Sequence, residues 1–223
     1  MPILHLHREI IHLNKLILQL GGHVEENLRL GVQAIQQRDG SHSSHIMNED
    51  VVVDSLEVRV EEECLKILAL HQPVASDLRY IVAILKINVD LERIGDLASS
   101  LVRNSSDLIK NTTLAIPTQI AEMADLSREM LHQSLDALVA RDVISCQKIL
   151  MQDKQVDRLY MEIKTWFKAE MSKSPTATGA YLDIYLTAKN LERIADHSCN
   201  IAEDVIYLVT GEIVRHHDVD KLD

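Results

Sequence analysis

Four acidic pairs stand four positions apart in this chain: Asp50/Asp54, Glu92/Asp96, Asp153/Asp157 and Glu192/Asp196. On a helix, residues i and i+4 differ by about 40° in direction, so each pair shares a face. Carboxylate-only donor sets suit hard cations (magnesium, manganese or calcium) or iron, rather than thiolate-bound zinc. Like charges at this spacing cost a bare helix roughly 0.2–0.5 kcal/mol per pair, so something must offset them. Arg93 and Arg193 are placed to do so, and so is a bound metal ion. The same pairs also read as solvated faces of acidic helices, because a charge run needs no ligand to be tolerated in water.

Stop and start signals divide the chain into the helices that must hold these pairs. A first helix is expected from about Leu4 to Arg38, ended by the breaker cluster Asp39-Gly40-Ser41-His42-Ser43-Ser44. A second runs from about Ile46 to Leu70 and stops before Pro73. The third, capped by Ser76 or Asp77, continues to about Lys110, and Asn111-Thr112-Thr113 with Pro117 reads as a linker. A fourth covers Thr118 to Ala140 and a fifth Ile144 to Met171. Ser174-Pro175 is an N-cap with a first-turn proline, opening a sixth helix that ends near Gly211.

The two halves repeat. Leu91-Glu92-Arg93-Ile94-Gly95-Asp96 returns as Leu191-Glu192-Arg193-Ile194-Ala195-Asp196, offset by 100. Arg38-Asp39 returns as Arg141-Asp142, and Val53-Asp54 as Val156-Asp157, both offset by 103. The economical reading is an all-α chain of two tandem three-helix bundles, residues 1–111 and 112–223. Ile84, Ile87, Leu91, Ile94, Ala98, Leu101 and Leu108 form the expected core stripe of the third helix. Ile184, Thr187, Leu191, Ile194, Ile201, Val205 and Leu208 form that of the sixth. Glu92 and Asp96 then lie roughly 130–170° from the stripe, pointing outward, with Asp50 and Asp54 on the flank of theirs.

Composition agrees. Aromatic residues make up 3% of the 223 residues, with seven Gly and four Pro, too few for a sheet protein and its turns. A net charge of −11 disfavours nucleic acid as a partner. No apolar run approaches the ~20 residues of a membrane span, and no signal-peptide pattern opens the chain, so a cytoplasmic protein without membrane insertion is expected. Cys64, Cys146 and Cys199 have no zinc or redox spacing and read as buried small apolar residues. His5, His7 and His12 do not form a ligand set, and Trp166-Phe167 reads as a core or dimer contact. No nucleophile–base pair, glycine-rich phosphate loop or Walker sequence appears, which points away from an enzyme.

Ala69-Leu70-His71-Gln72-Pro73-Val74-Ala75-Ser76-Asp77-Leu78-Arg79, followed by Asp90-Leu91-Glu92-Arg93-Ile94-Gly95-Asp96, resembles the PhoU family. Asn190-Leu191-Glu192-Arg193-Ile194-Ala195-Asp196-His197, with Asn200-Ile201-Ala202-Glu203 after it, resembles the same pattern, so the likeness spans nearly the whole chain. The resemblance implies two three-helix bundles carrying metal clusters on their surfaces, at the four acidic pairs. It also implies a non-enzymatic regulator that works with the ATPase subunit of the phosphate ABC transporter and a sensor histidine kinase, commonly as a homodimer. Leu97 stands where His197 stands in the other half, which would make the two metal sites unequal. Ala195 replaces a more typical glycine.

Other readings are a metal-free helical adaptor of another phosphate carrier and a di-iron carboxylate enzyme. The latter needs Glu-x-x-His motifs on two helices of one bundle. Glu9/His12 and Glu129/His132 have that spacing, but at non-equivalent positions of the repeat.

Overall fold

The computed structural model describes residues 2–110, 114–171, 173 and 177–214. The expected linker at Asn111–Thr113 and the cap at Ser174–Pro175 lie outside the described residues. Within them the chain is helical: α1 (Pro2–Gln37), a 3-10 turn (Gly40–His42), α2 (Ser43–His71), α3 (Ala75–Arg103), a short α4 (Ser106–Lys110), α5 (Thr118–Ala140), α6 (Val143–Met171) and α7 (Thr178–Thr210).

The repeat is visible at its joints. Arg38 and Arg141 both take the left-handed conformation, with φ of 53° and 54°, and each is followed by a capping aspartate. Asp39 accepts from the Ser41 amide at 2.8 Å and caps the 3-10 turn. Asp142 accepts from the Ile144 amide at 3.0 Å and from the Ser145 hydroxyl at 2.7 Å, opening α6. Those hydrogen bonds hold both carboxyls below the usual range. The extra turn of helix lets α2 start at Ser43, three residues before the expected Ile46.

Two further boundaries differ from the sequence reading. Neither Ser76 nor Asp77 caps α3: the helix begins at Ala75, after an extended Val74, and Asp77 sits in the first turn. There it complements the positive end of the helix dipole. The expected third helix also breaks. It ends at Arg103, and residues Ser106–Lys110 form the separate α4. The break has a physical cause in α7, where the Asp183 carboxylate accepts from the amides of Asp107 and Leu108, both at 2.9 Å. A carboxylate on the first amides of α4 caps it from across the fold.

Both core stripes are buried as expected, from Ile84 to Leu101 and from Ile184 to Leu208, with Leu108 buried from α4. In α1, Leu13, Ile17, Leu20, Val24 and Leu28 recur at spacings of three and four and are fully buried. A Cβ on Gly31 would stand 2.9 Å from the Ala98 carbonyl oxygen, so glycine there permits the close approach of α1 to α3. α1–α3 pack together, as do α5–α7, while α3 lies along α7 and α1 touches α5. The apolar core therefore runs continuously across both halves. Trp166 meets Tyr181 edge-on and Phe167 stacks on Tyr185, so this pair serves the α6–α7 packing.

Polar clamps cross the α3–α7 seam. Asp90 lies 2.7 Å from His197 Nδ1 and accepts from Asn200 Nδ2 at 3.0 Å. Lys86 donates to the buried Asp204 at 3.1 Å while its ammonium sits over the Tyr207 ring.

Candidate carboxylate clusters

Helix packing sets the acidic pairs of each half side by side. α2 packs on α3 and brings Asp50 and Asp54 beside Glu92 and Asp96; α6 packs on α7 and brings Asp153 and Asp157 beside Glu192 and Asp196. All eight carboxylates lie on the outside of the bundles, partly exposed. Outward placement follows from the core stripes of α3 and α7, and partial burial from the facing helix.

In the first half the cluster is compensated. Arg93 spans its own helix face, with Nε 3.4 Å from Glu92 Oε2 and Nη1 3.7 Å from Asp96 Oδ2. Asp50 accepts from the Ser99 hydroxyl at 2.7 Å and pairs with Arg103 at 3.4 Å. Burial, then Asp50 and Asp96, raises Asp54 above the usual carboxylate range. Burial also raises Glu92, with Asp96 adding to the effect and Arg93 opposing it. Glu57, one turn beyond Asp54, joins the cluster and accepts from Asn88 Nδ2 at 3.3 Å. Its carboxyl is raised by burial, then by Glu61 and Asp54.

The second cluster is barer. Among the described residues, no basic group lies within 4.0 Å of Asp153, Asp157, Glu192 or Asp196. At longer range, Arg193 and Lys189 oppose the rise of Glu192, and His197 and Arg193 oppose that of Asp196. Burial, then Asp157 and Asp196, pushes Asp153 up to about 6. Burial, then Glu192 and Asp157, pushes Asp196 to about 6 as well. Cys199, equivalent to Ser99, hydrogen-bonds Asp153; it is half-buried at this polar edge rather than enclosed in the core like Cys64 and Cys146. Burial holds its thiol in the protonated form. Glu203 stands at the repeat position of Arg103, replacing a cation by an anion. His197 turns away toward Asp90.

Sequence reasoning located the eight carboxylates and Arg93 but missed Glu57, Ser99, Arg103 and Cys199. Extending the offset of 100 past Asp196 would have paired Ser99 with Cys199 and Arg103 with Glu203.

As donors, the clusters match a hard cation in charge and in oxygen chemistry. Among the described residues, no three His, Cys, Asp or Glu side chains converge tightly enough to enclose an ion in this arrangement. Capture would require rotamer changes that turn the carboxylates inward, which partly exposed side chains make readily.

The Glu-x-x-His pairs do not assemble. Glu9 is bound to Lys66 at 2.8 Å, whereas His132 bonds Glu25 at 2.8 Å, about 24 Å further along α1. His5, His7 and His12 are exposed.

A PhoU domain model matches the chain twice, over residues 17–105 and 120–205. The chain belongs to the PhoU family. The "Phosphate-specific transport system accessory protein PhoU homolog" of Pseudomonas aeruginosa is 36% identical over 201 residues, covering 90% of this chain and 83% of that protein. The "Phosphate-specific transport system accessory protein PhoU" of Serratia marcescens is 31% identical over 215 residues, covering 96% and 88%. The crystal structure of PhoU from Pseudomonas aeruginosa superposes with a TM-score of 0.89 at 34% identity, covering 92% of this chain and 99% of that one. PhoU relatives thus share the whole fold of this chain, both halves in order. Among the described residues, no helix is long and apolar enough to cross a membrane.

Proposed function

We propose that this protein is a non-enzymatic regulator of phosphate uptake and of phosphate-starvation signalling, acting in the cytoplasm. It links the ATPase subunit of a phosphate ABC transporter to a sensor histidine kinase, restraining both when phosphate is sufficient. The observation that carries this reading is the PhoU match over both halves, to relatives named as accessory proteins of phosphate transport.

The two carboxylate clusters bind divalent or trivalent cations, iron, manganese, magnesium or calcium. The donors are Asp50, Asp54, Glu92 and Asp96 in one half, and Asp153, Asp157, Glu192 and Asp196 in the other. The mutual repulsion of the carboxylates, which adds to the rise that burial causes, supports this, because a cation would neutralise it. A bound ion supplies positive charge on an otherwise acidic face. The chain's own contribution is a rigid scaffold: paired helices fix the spacing of the donors, and Arg93 and Arg103 set how much charge remains for the ion.

Deletion of the gene tests the signalling role: phosphate-starvation genes should be expressed despite abundant phosphate. Proper repression in the deletion strain would overturn it. Metal analysis of protein purified without added metal tests the clusters separately. The Glu92→Gln/Asp96→Asn variant should carry less metal, and unchanged content would remove the first-half assignment.

A further inference from the structure

The outer face of α2 carries an apolar stripe that stays exposed among the described residues. Met47, Val51, Val58 and Leu65 are 54%, 67%, 49% and 53% exposed. At about 100° per residue they fall within roughly 40° of one another, opposite the buried Val53, Val60 and Ile67. Val51, Val58 and Leu65 recur at heptad spacing, the period at which one helix receives another. The stripe spans about 27 Å. Asp54, Glu57 and Glu61 run along one edge, while Glu62, with Lys66 and Arg59 further round, stands at the other. Among the described residues, none of these four carboxylates lies within 4.0 Å of a basic group.

We propose that this face of α2 docks a basic amphipathic helix from a partner protein, its apolar seam on the valine stripe and its lysines or arginines on the flanking carboxylates. Charge decides the occupant. A second copy laid antiparallel, α2 against α2, would oppose the edge of Asp54, Glu57 and Glu61 to itself, and like charges across a contact cost association. The equivalent face of α6 is no match either, because Lys154 and Lys168 stand where Val51 and Leu65 do and would be pressed into the stripe. An isolated helix with an apolar seam and basic edges satisfies both features, in the helix-on-face mode of peptide recognition. The surface is confined to one half, since the repeat did not preserve it: Met161 alone remains exposed and apolar among the equivalents of Val51, Val58 and Leu65.

The probe is a synthetic helix of about 20 residues, leucines at heptad spacing and lysines along the edges, titrated by fluorescence anisotropy in the presence of chelator. Chelator makes the result independent of the metal reading. The parent protein should bind this peptide, and a peptide with glutamates in place of the lysines should bind much more weakly. Val58→Ser/Leu65→Ser, which alters only exposed side chains, should weaken binding by about tenfold or more, and Met161→Ser should leave it unchanged. Equal affinity of the peptide for parent and Val58→Ser/Leu65→Ser would overturn the proposal as mere attraction to an acidic surface. So would sedimentation showing that the same double substitution abolishes self-association of the protein, which would make a second copy the occupant.

Discussion

The two carboxylate clusters began as copies and now differ in what surrounds them. In the first, Arg93 and Arg103 stand against Glu92, Asp96 and Asp50, and Ser99 donates to Asp50. In the second, Glu203 occupies the position of Arg103, Cys199 that of Ser99, and Asp153 and Asp196 are pushed to about 6. The helices, spacing and outward direction are the same. A duplicated scaffold thus holds its donor geometry while its neighbours retune the charge. The first cluster is partly neutralised by its own arginines, and the second is not.

The sharpest break would come from cation titration. Calorimetry with manganese should give a tighter and a weaker event. Glu192→Gln/Asp196→Asn should remove the tighter one, a loss of at least about a hundredfold at that site, and Glu92→Gln/Asp96→Asn the weaker. Next in size, Arg93→Gln/Arg103→Gln should make the first cluster resemble the second and raise its affinity by about tenfold.

pH gives a third handle. A carboxyl whose folded pKa is raised from 3.8 to about 6 binds its proton more tightly in the native state. Metal-free protein should therefore lose stability as pH rises from about 4 to about 6, and the cost is complete above that window. Asp196→Asn should recover on the order of 1 kcal/mol at pH 7, discounted for the exposure of the side chain, with the gain vanishing near pH 4. The Tm difference between variant and parent across that range is the readout. An equal gain from Asp54→Asn would erase the contrast between the halves.

The smallest effect concerns backbone packing. A Cβ on Gly95 would lie 3.1 Å from Val53 Cγ1, whereas the second half has Ala195 at the same position. The gain in helix propensity and the tighter contact nearly cancel, so Gly95→Ala should change stability by less than about 1 kcal/mol. Denaturant unfolding measures it.

Much of this was legible in the sequence because it is periodic. Stop and start signals placed the long helices, core stripes at three-to-four spacing agreed with them, and the repeat set Arg38-Asp39 and Arg141-Asp142 at equivalent joints. The i, i+4 pairs put their carboxylates on outer helix faces, and helix packing then sets the two pairs of each half side by side. What escaped was settled between elements distant in the chain. Asn104-Ser105-Ser106-Asp107 is a run of cap and turn formers that the helix pattern masked, and the carboxylate that caps α4, Asp183, stands more than seventy residues away. Arg103 meets Asp50 only because α2 and α3 pack in a particular register, and His197 finds Asp90 only across the seam between halves. The stripe on α2 was likewise hidden, since apolar residues on both sides of a helix blur its periodicity until burial separates them.

The difference between the clusters is tested most directly by anomalous diffraction from crystals soaked in limiting manganese. The expected result is a peak among Asp153, Asp157, Glu192 and Asp196 at the lowest dose, with a second among Asp50, Asp54, Glu92 and Asp96 appearing only as the dose rises. Equal peaks at every dose, or none at either cluster, would contradict it.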